Sequence, residues 1–464
     1  MGAINPANFK KTLYYLQRNG LRDTWYAARE RLTQGNAPYV YERPSAESLS
    51  GQRETAIRAF GPGGAYEGIA FSVLVPAYRT PRQYLRDLIL SVQAQSYPFW
   101  ELILADATED ESVKACVEEM RRDIPESESQ KLRYIRLPDN KGISGNTNEA
   151  LKHVTNPYVA LLDHDDLLTP DALFEMAEAI RAGRESGQSP MLLYSDEDKC
   201  DETGEKYYEP NKKEGFNYDL TLSNNYICHF MAMESGLIRT LQFRSGYDGA
   251  QDYDLILRAV TELGIPRSPE RERLIRHVPK VLYHWRCHEG STAANPRSKD
   301  FAYEAGRRAL QDHADQNGIP ARAVPLKHLG FYRLDYPGGI LAVRPDLGAV
   351  GGTVVRRGRI AGGRMDAAGR VFYAGLPVRY SGELHRAVLT QDAEAVDIRR
   401  VALREELHEL FREVTGVPYR RMPDGDWFDV SLLPPDTDYA ALSLALCRAV
   451  RERGFRILWY PGGH

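Results

Sequence analysis

Five cysteines in 464 residues, at 116, 200, 228, 287 and 447, form no Cys-x-x-Cys pair. Their odd number and wide spacing exclude a disulfide framework and argue for reduced thiols. Nor does any apolar run approach the roughly 20 residues that span a bilayer, and the N-terminus lacks the uninterrupted apolar core of a signal peptide. The expectation is a cytoplasmic protein. A formal net charge of -4, with acids and bases mixed throughout, leaves no electrostatic footprint for nucleic acid, which is disfavoured as a partner. Two glycine signatures are also missing. Neither Gly-x-Gly-x-x-Gly nor Gly-x-x-x-x-Gly-Lys-[Ser/Thr] follows the first strand-like run, which argues against a dinucleotide cofactor and a P-loop.

What is present is an alternation of strand-like and helix-like runs from Phe71 onward. Strands are expected at Phe71 to Pro76, Glu101 to Ala105, Leu132 to Leu137 and Tyr158 to Leu162, with helices between them. This is the signature of βαβ units and a parallel sheet. Just past the last of these strands stands Asp163-His164-Asp165-Asp166. Acids at i and i+2 in an extended or turning backbone can point to one side, which suits a hard divalent ion, Mg2+ or Mn2+, whose shell a nucleoside diphosphate would complete. Ligands of open α/β sheets bind outside the carboxyl ends of strands, and the other unusual residues sit there too: Pro76-Ala77-Tyr78, Asp106 and Asp139 to Gly142. Asp196-Glu197-Asp198 reads either as a charged loop or as donor-sugar contacts.

Before the sheet, Phe9 to Leu32 reads as helical with a break at Asn19-Gly20. Lys10, Lys11, Arg18, Arg22, Arg29 and Arg31 outnumber its acids, and Leu13, Leu16, Leu21, Trp25 and Leu32 could share a side. Two readings fit: a helix docked on the main domain, or peripheral association of residues 9–32 with the inner face of an anionic plasma membrane.

The ordered motifs Phe71-Ser-Val-Leu-Val-Pro-Ala-Tyr78, Leu102-Ile-Leu-Ala-Asp106, Asn140-Lys-Gly-Ile-Ser-Gly-Asn-Thr-Asn148, Leu162-Asp-His-Asp-Asp166, Gln251-Asp252-Tyr-Asp254-Leu and His284-Trp-Arg-Cys-His288 resemble those of family 2 glycosyltransferases of the GT-A fold. The similarity is to the bacterial branch that builds O-antigens, rhamnans and other surface polysaccharides. It implies an inverting, metal-dependent transferase that moves a sugar from a UDP- or dTDP-sugar to a growing or lipid-linked polysaccharide.

By motif position the resemblance places Pro76, Tyr78 and Asp106 around the nucleoside, makes Asp163 and Asp165 the DxD metal pair, and assigns Asp252 as the base. Asp252 can also be read as a helix N-cap. Lys141 and Asn148 are expected on donor phosphate or ribose, unless Gly142 and the asparagines only shape a helix N-terminus. His284, as a further metal ligand, and Arg286, on the diphosphate, either reach the donor or pack at a strand end. Trp285, Tyr226 and Phe230 are candidate faces for an acceptor sugar. Two family positions depart: Ala105 replaces an acid, and Gln251 replaces the usual Glu beside the base.

The expected division is an N-terminal helical extension (1–68), a GT-A domain (69–328) and a C-terminal α/β module (329–464) that resembles a partial second GT-A copy without its nucleotide half. Amphipathic helices are expected near 403–414 and 439–453. The competing functions are a nucleotide-sugar or glycan-binding scaffold without chemistry, and a sugar nucleotidyltransferase. The latter usually places a Gly-rich basic loop after the first strand, where this chain has Pro-Ala-Tyr.

Overall fold

A computed structural model describes residues 6–33, 39–288, 300–423 and 425–462. Its centre is a nine-stranded mixed sheet. The strands are β1 (Phe71–Ala77), β2 (Trp100–Asp106), β3 (Leu132–Arg136), β4 (Tyr158–Leu161), β5 (Leu167–Leu168), β6 (Leu192–Cys200), β7 (Tyr207–Asn211), β8 (Met231–Glu234) and β9 (Ile275–Arg286). Their order is β3-β2-β1-β4-β8-β6-β9-β5, with β7 paired to β6. The first four run parallel, as expected, while β8 lies antiparallel to both β4 and β6. The half of the sheet after β4 is therefore mixed.

Sequence explains the centre. Val73, Leu74 and Val75 are fully buried in β1 because helices cover both faces, so the strand reads as a continuous apolar run. Alternation sends Leu74, Ile103 and Val159 into one core and Val73, Val75, Leu102 and Leu104 into the other. The helix Arg82–Gln93 buries Leu85, Leu88, Ile89 and Val92, an i, i+3, i+4, i+7 stripe. Each such side chain contributes about 1.5–3 kcal/mol of burial.

One stretch departs from expectation. Asp196-Glu197-Asp198 is not a charged loop but the middle of β6, with all three acids buried. Their partners come from the neighbouring strands β7 and β9. Asp196 meets His277 at 2.8 Å, Glu197 accepts from Asn211 at 2.9 Å, and Asp198 meets His284 at 2.5 Å.

The C-terminal region builds a four-stranded sheet in the order Gln391–Asp392, Arg456–Trp459, Leu347–Gly351, Val401–Leu403. Its central pair is parallel and its outer pairs antiparallel. Helices His408–Thr415 and Tyr439–Glu452 cover it, burying Phe411, Leu446 and Val450. Buried ion pairs join it to the main sheet's helices. Arg344 holds Asp219 at 2.8 and 3.1 Å and Arg456 meets Glu272 at 2.9 Å, while within the C-terminal sheet Arg456 also holds Asp392 at 2.6 Å.

The N-terminal helix Pro6–Thr33 loses helical geometry at Gly20 (φ 78°), where the break is expected. It docks on the body: buried Glu30 accepts from the backbone N–H of Ser381 (3.0 Å) and Gly382 (2.6 Å), and Lys327 pairs with Asp23 at 2.8 Å. Leu21, Trp25 and Leu32 stay exposed. No helix among the described residues is long and apolar enough to cross a membrane.

Candidate active site

Beyond the end of β4 opens a cleft of about 610 Å³ whose wall includes Asp163, Asp252, His229, Trp285 and Arg386. Asp163 is about half exposed, with His229 Nε2 3.7 Å from its Oδ2. Asp252 stands in the first turn of the helix Gln251–Glu262, whose N-cap position is taken by Ala250. Burial first, and then the charge of Asp163, push the Asp252 carboxyl up to about 6. A carboxyl in that range is suited to exchange a proton near neutrality.

Glu197 and His229 form the floor. Burial works against the charge of Glu197, but Lys213, His229 and Asn211 outweigh it and hold the carboxyl down at about 2. Burial also opposes protonation of His229, yet Cys228 and Glu197 raise its pKa well above the usual histidine range. The buried Lys213 ammonium donates to the carbonyl of Ile227 at 2.9 Å and also to that of His229, fixing the turn that carries the imidazole.

Asp165 and Asp166 diverge. Asp166 is fully buried, accepting from Tyr283 Oη at 2.5 Å and from the Arg286 backbone N–H at 2.7 Å. Burial and the neighbouring acids Asp165 and Asp163 push its pKa well above the usual carboxylate range, and its two hydrogen bonds make it a strut between the segment after β4 and β9. Asp165 remains accessible, with His288 Nε2 2.9 Å from its Oδ2.

Two expected ligands lie elsewhere. His284 is 3% exposed, its Nδ1 on Asp198 and its ring between Tyr41 and Tyr207 at 4.6 and 4.2 Å. Arg286 is fully buried, and its guanidinium donates to the carbonyls of Asp165 (2.7 Å) and Glu202 (2.6 Å) and to Asp87 (3.1 Å). The reason is strand alternation. On β9, residues 284 and 286 share one face, while Tyr283 and Trp285 share the other, toward His229. The imidazole that reaches Asp165 belongs to His288, past the strand's end. The sequence held that residue in its last motif but offered no sign of which histidine would reach the acids.

The nucleoside candidates stay at the ends of β1 and β2. Ala77 is in register with Asp106. Asp106 is fully buried and already accepts from the Thr108 N–H and Tyr134 Oη, each at 2.8 Å. Pro76 is partly exposed. Tyr78 donates to Glu109 at 2.9 Å, and Lys141 pairs with Glu149 at 2.8 Å. Gly142 (φ 76°) lies so close to Asp248 that a Cβ there would stand 2.8 Å from its Oδ2. Asn148 is committed to the backbone of Phe243, donating to its carbonyl and accepting its N–H at 2.8 Å each. Tyr226 and Trp285 line the cleft, whereas Phe230 is core.

Residues 72–241 match the model of a family described as Glycosyl transferase family 2. The chain carries a family 2 glycosyltransferase domain. It is 37% identical over 293 residues to Uncharacterized protein y4gI of Sinorhizobium fredii, covering 63% of this chain and 30% of that protein. It is 31% identical over 267 residues to O-antigen biosynthesis protein RfbC of Myxococcus xanthus, covering 57% and 20%. The chain thus spans 20–30% of the length of these curated relatives. A crystal structure of S. aureus TarS 1-349 aligns at 21% identity over 53% of this chain and 65% of that one, with a TM-score of 0.37.

The residues of the family 2 domain fit a divalent cation in kind. Asp163 and Asp165 offer carboxylate oxygens suited to Mn2+ or Mg2+, and His288 adds a nitrogen, which favours Mn2+ of the two. Among the described residues no group of three or more such ligands is already assembled.

Proposed function

We propose that the cleft transfers a sugar, with inversion, from a nucleoside diphosphate donor to a hydroxyl of a growing or lipid-linked surface polysaccharide. The observation that carries this reading is that one cleft holds both Asp163, past the end of β4, and Asp252, on the helix Gln251–Glu262, where burial first and then the charge of Asp163 raise the proton affinity of Asp252. Relatives named for O-antigen, teichuronic acid and colanic acid biosynthesis support the polymer class.

A divalent cation held by Asp163, Asp165 and His288 would supply Lewis-acid stabilisation of the charge that develops on the diphosphate. Asp252 accepts the proton of the attacking hydroxyl at its carboxylate, and Trp285 offers an apolar face to a sugar ring. Glu197 and Lys213 position the His229 imidazole beside Asp163. Residues 69–328 are read as the transferase unit, 1–68 as its helical extension and 329–464 as a non-catalytic module.

The test is release of nucleoside diphosphate from UDP-, dTDP- and GDP-sugars with Mn2+ or Mg2+. Loss of about 10³-fold is expected for Asp165→Ala. Wild type and variant that bind donor but turn over equally poorly, even with lipid-linked acceptor, would establish a binding scaffold instead.

The outer face of the N-terminal helix supports peripheral attachment to an anionic membrane, since Leu21, Trp25 and Leu32 project while Glu30 docks inward. Co-sedimentation with phosphatidylglycerol vesicles should fall in a Leu21→Glu/Leu32→Glu variant. Equal sedimentation of the two proteins would leave docking as the helix's sole role.

A further inference from the structure

Granting the glycosyl-transfer reading of the cleft, we propose that the C-terminal region completes its acceptor side, and that Arg386 binds an acidic group, carboxylate or phosphate, on the acceptor glycan.

The segment that reaches the cleft is held under strain. Within the short turn Glu383–Val388, Leu384 (φ 51°) and His385 (φ 61°) both occupy the left-handed region. Non-glycine residues there cost on the order of 1–3 kcal/mol each and persist only where their surroundings over-determine them. The surroundings do so. Glu30 accepts from the N–H groups of Ser381 and Gly382, Ser381 Oγ lies 2.8 Å from His385 Nδ1, and the His385 ring stacks on His328 at 3.5 Å. This bracing from two distant parts of the chain brings Leu384, Arg386 and Leu389 into the wall that also holds Asp163 and Asp252.

Arg386 brings a guanidinium into a cleft lined also by the carboxyl groups of Asp163, Glu197, Asp248 and Asp252 and the imidazole of His229. Its Nη2 donates to the Lys212 carbonyl at 3.0 Å. The carboxylate it meets, Glu214, is 3.8 Å away and is already held by Arg364 at 2.6 and 3.1 Å. In the same cleft Asn224 and Asn225 each keep a buried side-chain oxygen without a hydrogen-bond partner among the described residues, acceptors that suit sugar hydroxyls.

Position decides which substrate this wall faces. The expected nucleoside residues lie at the ends of β1 and β2, on one side of β4 in the sheet order. Arg386 contacts the segment after β7, on the other side, and shares the cleft with the base Asp252, where the attacking hydroxyl must come. A guanidinium there is matched to a planar or tetrahedral oxyanion on the incoming sugar.

The test is binding of glucose, glucuronate and glucose 6-phosphate, measured calorimetrically in the presence of Mn2+ and UDP or dTDP. Wild type is expected to bind one of the two acids about tenfold more tightly than glucose; which acid it prefers separates carboxylate from phosphate. Arg386→Gln, which retains a donor for the Lys212 carbonyl, should abolish the preference, Arg386→Lys should keep part of it, and all three proteins should bind nucleoside diphosphate alike. Circular dichroism shows whether Arg386→Gln is folded, and Arg386→Lys decides if it is not. No acid preference in wild type, or one that survives in Arg386→Gln, overturns the proposal. Weakened nucleoside diphosphate binding in Arg386→Gln also overturns it and assigns the guanidinium to the donor. Failure of wild type to bind nucleoside diphosphate, or binding indifferent to Asp165→Ala, would instead sink the reading of the cleft itself.

Discussion

Two clusters of carboxylates lie in this molecule, and they are treated in opposite ways. At the C-terminal interface, Asp219, Asp346, Asp392 and Glu272 are threaded by Arg344 and Arg456, with contacts of 2.6 to 3.1 Å. Beyond β4, Asp163 and Asp252 face each other across a cleft, and the charge brought to them is an imidazole and a distant guanidinium. Both clusters are acidic, but only the first is bridged from within: two guanidiniums span its four acids, although burial still raises Glu272 to about 7. A bridged cluster is glue, whereas acids left without such a bridge wait for a cation or a proton from outside.

The largest expected effect follows from the second cluster. Asp252→Asn should lower transfer about 10²–10⁴-fold, the range for a lost general base. The base works only when deprotonated, and its carboxyl is raised to about 6. Transfer should therefore rise with pH through an acid limb near 6, level off above it, and lose that limb in the variant. A cation on Asp163 cancels part of the charge that raises Asp252, so increasing Mn2+ should move the limb downward. A limb indifferent to both the substitution and the metal would remove Asp252 from the chemistry.

The first cluster is broken by Arg344→Met, which leaves buried Asp219 and partly buried Asp346 without the guanidinium that bridges them. Removing one member of a buried pair typically costs about 3–5 kcal/mol. Urea denaturation should show a loss of that size, with donor binding intact in the folded fraction. A much smaller loss would mean that the interface acids are no better compensated than those in the cleft, and the contrast would fall.

How much of this contrast could be read from the chain depends on distance in sequence. The strands β1 to β4 were legible because apolar runs and turn residues are local signals, and the acids after β4 stood out for the same reason. The fate of Asp196-Glu197-Asp198 was not legible: three acids in a row read as a loop unless the bases that bury them, from His229 to His284, are already in place. Arg286 misled in the same manner, since strand alternation turns its guanidinium inward toward Asp87 and two carbonyls. Arg386 carries no local mark at all. Its place in the cleft depends on Glu30 and His328, and pattern along the chain cannot report contacts that only the folded chain makes.

The smallest expected effect tests a residue that the motif assigns to the donor and the geometry to the scaffold. Asn148 exchanges both of its amide bonds with the backbone of Phe243, tying the helix Gly142–Leu151 to the segment before Asp248. A side chain so engaged has little left for a ribose or phosphate. Asn148→Ala should then cost about 1–3 kcal/mol of stability, for two partly buried hydrogen bonds left unmade, and leave the donor KM unchanged. A raised donor KM with unchanged stability would mean that the amide turns toward the nucleotide when donor binds. It would then belong with the acids across the cleft, among the groups held ready for a ligand.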